Sequence, residues 1–121
     1  MSGTPLYEAK AELFRSLGHP VRIRVLELLS TREHAVHELR KRIEVEQAGL
    51  SQHLAVLRRN GLVRQQRIGG AVVYSLVGGE VTELLAAARR LLRQLVSEGQ
   101  ELGDALETDV TGIPDVVTDV S

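Results

Sequence analysis

The feature that most constrains this chain lies in its middle. Leu50, Leu54 and Leu57 recur at helical spacing, Asn60 and Gly61 stop the repeat, and two strand-like runs follow at once. The runs are Leu62 to Ile68 and Ala71 to Leu76, and the Gly69, Gly70 pair between them can supply the positive backbone angles of a two-residue hairpin turn. Just upstream, Val36, Leu39 and Ile43 mark another short helix. Two short helices this close predict a helix-turn-helix, and the hairpin behind them predicts a wing.

The flanking segments are helical too. Leu6, Ala9, Leu13 and Leu17, with Phe14 beside them, predict a helix over residues 5–17, capped by Thr4 and started by Pro5. Gly18 is expected to close it in a left-handed conformation, and Pro20 opens a second helix on Val21, Val25, Leu28 and Leu29, widened by Ile23 and Leu26. After Gly78 and Gly79, a long stripe of Val81, Leu84, Leu85, Ala88, Leu91, Leu92, Leu95 and Val96 predicts the most amphipathic helix of the chain. The whole reads as mainly α with a small β-hairpin: four helices, the hairpin, then a fifth helix, the order of a winged helix-turn-helix. Residues 1–97 form the expected folded domain. Residues 98–121 form an acidic tail, expected to be mobile over 108–121.

Charge sharpens the division. The chain carries 15 Lys and Arg against 16 Asp and Glu, yet no cation follows Arg93, and seven acids do. The first 93 residues therefore hold 15 cations and 9 acids, a net +6, which hints at a polyanionic partner. With only Tyr7, Phe14 and Tyr74 aromatic, the core must be aliphatic, and stacking of single-stranded bases on exposed rings is disfavoured. The absence of cysteine excludes disulfides, thiolate metal sites and cysteine nucleophiles. No apolar run approaches the roughly 20 residues needed to cross a bilayer, so a cytoplasmic location is expected, with no membrane partner.

Particular residues add family information. Leu17, His19, Pro20, Arg22, Ile23 and Leu26 are followed by Val36, Glu38 and Leu39. Then come Leu50, Ser51, Gln52, His53, Leu54, Leu57 and Arg58, and through the wing Gly61, Leu62, Val63, Arg67, Gly69, Tyr74 and Leu76. In order and spacing these resemble the ArsR/SmtB bacterial regulators over roughly residues 6–96. Two places depart from the family pattern: Ile43, Glu44 and Val45 fill the turn, and Gly49 sits early in the fourth helix. Glycine there costs about 1 kcal/mol against alanine, so it implies either a close backbone approach, DNA being one candidate, or simple drift.

Setting Leu50, Leu54 and Leu57 inward turns Ala48, Ser51, Gln52, Ala55 and Arg59 outward, at about 100° per residue. In a helix-turn-helix that face enters the major groove. Gln52 can bond adenine in bidentate fashion, Ser51 a base or phosphate, and Ala48 or Ala55 a thymine methyl, with Gln47 at the helix start. His53 falls at the edge of the inward stripe, where packing or a phosphate bond suits it better than base reading. Arg58, Arg59, Arg64 and Arg67 suit phosphate contacts, and Arg67 also a minor groove. The bland alternative for each is a solvated helix or strand end.

Leu6 and Leu13 in the first helix and Leu84, Ala88, Leu91, Leu92 and Leu95 in the last offer more apolar surface than a small monomer needs. They are expected to pair across a two-fold axis, as the resemblance also implies, so that two recognition helices roughly 34 Å apart read an inverted repeat. The family's metal motif in the third helix would use cysteines at the positions of Ala35 and His37. Its last-helix site would fall on Gly78, Glu80, Leu91 and Gln94. Neither ligand set is present, so no metal or other cofactor is expected, with His34 and His37, three apart on one helical face, as a weak candidate pair.

The signal then arrives through a second protein, a small organic ligand or none, and the acidic tail either solubilises the chain, competes with phosphate or recruits a partner. An enzyme is not expected, because Ser51 and His53 diverge on their helix and no carboxylate is spaced to orient the histidine. The expected function is a sequence-specific, double-stranded DNA-binding regulator, a homodimeric repressor. The alternatives are an activator on the same fold or a winged helix used only for protein association.

Overall fold

A computed structural model describes residues 3–99 of the chain. They divide after Val81 into two compact units. The first holds α1 (Leu6–Leu17), α2 (Pro20–Thr31), β1 (His34–Ala35), α3 (Val36–Arg42), α4 (Gln47–Arg59), β2 (Val63–Ile68) and β3 (Ala71–Leu76). The helix α5 (Glu80–Glu98) runs almost entirely in the second. The winged helix-turn-helix order is therefore present, with one strand more than expected.

Local chemistry explains the element ends. Pro5, rather than Thr4, occupies the N-cap of α1, and no side chain caps it. Instead the Pro5 carbonyl accepts from the Glu8 and Ala9 N–H groups at 3.1 and 3.2 Å. At the other end Gly18 is not left-handed: its φ is −83° and ψ 47°, and the His19 N–H donates across it to the Leu17 carbonyl at 2.9 Å, as in an inverse γ-turn. The reason is the short link. His19 must already be extended to cap α2, where its Nδ1 accepts from the Val21 N–H at 3.1 Å and Pro20 fills the first turn. A left-handed glycine does close α4, where Gly61 has φ 78° and the Gly61 and Leu62 N–H groups donate to the Arg58 and Leu57 carbonyls, both at 3.0 Å.

The hairpin pairs Val63 with Leu76 through to Ile68 with Ala71, and both turn glycines have positive φ, 58° at Gly69 and 84° at Gly70, as a type I′ turn requires. The sequence gives no sign of β1. This two-residue strand pairs antiparallel with β3, His34 opposite Tyr74 and Ala35 opposite Val73, making a three-stranded sheet in the order β1-β3-β2.

The core of the first unit is aliphatic, as the composition requires: Val25, Leu26, Leu39, Leu50 and Leu57 are fully buried, and Tyr74 is the buried aromatic among the described residues. Each such aliphatic side chain contributes about 1.5–3 kcal/mol of burial energy. By contrast α5, despite its regular stripe, has no buried residue. No helix among the described residues is long and apolar enough to cross a membrane. The segment expected to be mobile, and nearly all of the acidic tail, lie outside the described residues.

Candidate nucleic-acid interface

The interface starts from the burial of three leucines. Leu50, Leu54 and Leu57 fix which side of α4 faces inward, and the opposite side then presents Gln47, Ala48, Ser51, Gln52, Ala55 and Arg59, all exposed. Steps of three and four residues keep Ala48, Ser51, Gln52, Ala55 and Arg59 on one ridge. At its start the helix carries Gly49, whose added Cβ would sit 3.2 Å from Val45 Cγ2. The close approach inferred for this glycine is thus made by a side chain of the preceding turn, which folds over the first turn of α4.

The cations do not form one cluster. Arg58 Nη1 donates to Gln65 Oε1, tying the end of α4 to the wing. Strand alternation puts Gln65 and Arg67 on the same face of β2 as buried Val63, and Arg64 on the other. Arg67 therefore shares the α4 side of the hairpin, while Arg64 points away from it; both are exposed. Arg40, Lys41 and Arg42, missed by a reading that followed only the apolar marks of α3, are exposed in its last turn, where they also offset the negative end of the helix dipole.

His53 is half-buried and is held by contacts with residues outside α4. Its Nδ1 lies 3.2 Å from Arg22 Nη1, and its ring lies 4.1 Å from that of His19, tilted by 44°. Partial burial, followed by the charges of His19 and Arg22, lowers its pKa from the ordinary histidine value. These three residues are up to 34 positions apart, so no local pattern announces the contact.

His34 and His37 do not share a helical face. His34 is in β1, 2% exposed, with Nδ1 2.9 Å from the Arg32 carbonyl, and desolvation lowers its pKa; His37 is exposed on α3. The expectation failed because the chain between them changes from strand to helix at Val36. Among the described residues no three His, Cys, Asp or Glu are grouped to hold a metal ion. At the same corner Glu38 accepts from the Ala35 N–H at 2.8 Å and pairs with Arg32 at 3.3 Å, which holds its carboxyl below the ordinary range.

On the dimer face expected from sequence, Leu6, Leu91, Leu92 and Leu95 are 69%, 55%, 37% and 41% exposed, Ala88 is exposed, and Leu13 and Leu84 are half-buried. Tyr7 and Phe14 add exposed apolar surface to α1 that the leucine spacing did not include.

Comparison with known proteins gives a consistent picture. Residues 17–66 match a family profile described as a helix-turn-helix domain. The chain is 46% identical over 99 residues to the HTH-type transcriptional regulator Rv0081 of Mycobacterium tuberculosis, covering 81% of this chain and 87% of that one. The crystal structure of Rv0081 superposes with a TM-score of 0.74 over 79% of this chain and 97% of that one. The HTH-type transcriptional repressor SmtB of the same organism is 35% identical over 83 residues, 69% of this chain and 62% of its own length. The homodimeric winged helix-turn-helix DNA-binding domain of Mb0332 from Mycobacterium bovis, 24% identical, shares the fold with a TM-score of 0.69, over 82% of this chain and 96% of that one.

Proposed function

Because this chain belongs to the ArsR/SmtB family of winged helix-turn-helix transcriptional regulators, we propose that it is a cytoplasmic homodimeric repressor reading an inverted repeat in double-stranded DNA. The observation that carries the reading is the division of α4. Three buried leucines hold the helix by one side, and an exposed ridge of small and amide side chains stands on the other.

Gln52 and Gln47 read base edges, Ser51 a base or phosphate, and Ala48 a thymine methyl. Arg58, Arg59 and Arg67 bind phosphate on the α4 side, and Arg64 does so from the opposite face of the wing. Residues 1–97 supply both binding and dimerisation, the latter through the exposed apolar faces of α1 and α5. A dimer bound over a promoter represses by occluding polymerase, with no catalytic step. Support for the dimer comes from that uncovered apolar surface and from the homodimeric state of the Mb0332 domain.

The test is selection of bound sequences from random duplexes, followed by anisotropy across a salt series. The expected result is an inverted repeat with half-sites about one helical turn apart and a steep salt dependence. Negligible binding to every duplex at moderate salt would instead favour a winged helix used only for protein association.

A further inference from the structure

The side chain of Arg22 joins three parts of the first unit. Its Nε donates to the Ser16 carbonyl at 2.6 Å and its Nη2 to the Arg15 carbonyl at 3.4 Å, both at the end of α1, while Nη1 reaches His53 Nδ1 on α4 at 3.2 Å. A guanidinium only donates, so His53 Nδ1 accepts, and its proton sits on Nε2. His53 follows Gln52 directly, and its ring is also packed against that of His19, the cap of α2. The leucines of α4 hold it against the core but leave its rotation about its own axis to apolar contacts, which are not directional. The Arg22 to His53 bond is directional, and it originates in backbone carbonyls that cannot move without unwinding the end of α1.

We propose that Arg22 is a positioning residue for DNA reading: by fixing His53 it sets the rotation of α4, and so the angle at which Ser51 and Gln52 meet the bases. This rests on the DNA-reading role of α4 proposed above. The bond exists only while His53 is neutral, because an imidazolium has no free nitrogen to accept. His19 and Arg22 face His53 from α2; the charged residues of β2, the strand packed on α4, are Arg64 and Arg67, and those of α4 itself are Arg58 and Arg59. All of these carry positive charge when ionised, so none compensates a proton added to the ring. Acid therefore breaks the Arg22 to His53 bond and blurs base discrimination, while the added charge leaves non-specific attraction to phosphate intact or stronger.

The experiment uses the full chain and the duplex recovered by selection, with anisotropy giving the ratio of affinity for that duplex over one scrambled in sequence. For the unaltered protein the ratio should fall about tenfold as pH is lowered from roughly 7.5 through the depressed pKa of His53, below about 6.5, the loss expected for one charge-assisted bond. Arg22→Met should show the lowered ratio at every pH, with an unchanged salt slope on the scrambled duplex. His53→Asn, whose Oδ1 replaces Nδ1 as an acceptor but cannot take up a proton in this range, should keep the high ratio and lose the pH dependence.

A ratio independent of pH in the unaltered protein, or a His53→Asn profile that still falls with acid, overturns the proposal even if Arg22→Met does not fold. A folded Arg22→Met with the normal ratio and profile does the same. In each case the unaltered protein still binds its duplex, so DNA reading by α4 survives. Failure of the unaltered protein to bind any duplex removes both readings.

Discussion

The helices α4 and α5 carry the same kind of leucine stripe and meet opposite fates. In α4, Leu50, Leu54 and Leu57 are at most 2% exposed, and the helix spends its whole apolar face inside the chain. In α5, Leu91, Leu92 and Leu95 remain at least 37% exposed, and no residue of the helix is buried. Periodicity reports that a face must be covered, without reporting by what. For α4 the cover is the core formed with α2 and the sheet; for α5 the proposed cover is a second copy of the chain.

This contrast can be broken most directly by replacing one leucine in each stripe. Leu57→Ala should lower unfolding free energy by about 2–5 kcal/mol in chemical denaturation, since the cavity lies in a fully packed site. Leu95→Glu should leave the circular dichroism spectrum intact and weaken self-association by about 2–4 kcal/mol, read by sedimentation over a concentration series. Unchanged sedimentation in Leu95→Glu would mean that the α5 stripe is covered within the chain after all.

The polar side of α4 sharpens the comparison. Gln52→Ala should cost about 1–3 kcal/mol of discrimination at one base pair, with little change in the salt dependence of binding. Arg67→Ala should instead reduce the log-log salt slope by about 1, and Arg64→Ala by less, because Arg64 lies on the far face of the hairpin.

The smallest effect concerns His34. Its folded pKa is depressed below 6.5, so the unfolded chain takes up the proton first as pH falls. The stability contributed by the neutral ring is fully present above about pH 6.5 and is lost as pH drops through the lower folded value. Thermal unfolding measured from neutral to mildly acidic pH should show this loss, and His34→Gln should reduce it.

Much of the architecture was legible because it is local. The leucine steps of α4, the stop at Gly61 and the two turn glycines each impose their geometry on immediate neighbours, and helix ends and hairpin fell within a residue or two. What escaped was set by distant partners. His34 and Ala35 become a strand only because β3 lies alongside, and two residues cannot display an alternating pattern. Gly18 follows the demands of the next helix rather than the habit of the previous one, and Gly49 answers to Val45. In the candidate site, the exposed ridge of α4 was readable from angle alone. The contact of His53 with Arg22 and His19 was not, because it joins positions 31 and 34 apart in the chain.

The unexpected strand has a mechanical consequence. Because β1 ends at Ala35 and α3 begins at Val36 with no residue between them, and β1 pairs with Val73 and Tyr74 in the middle of β3, the wing is clamped at mid-length to the first helix of the helix-turn-helix. Beyond Val73 the ribbon is only two strands wide, and two-stranded ribbons twist more freely. The hairpin is thus held like a leaf spring bolted at mid-length, its tip freer to twist while any tilt of α3 is carried directly into its middle.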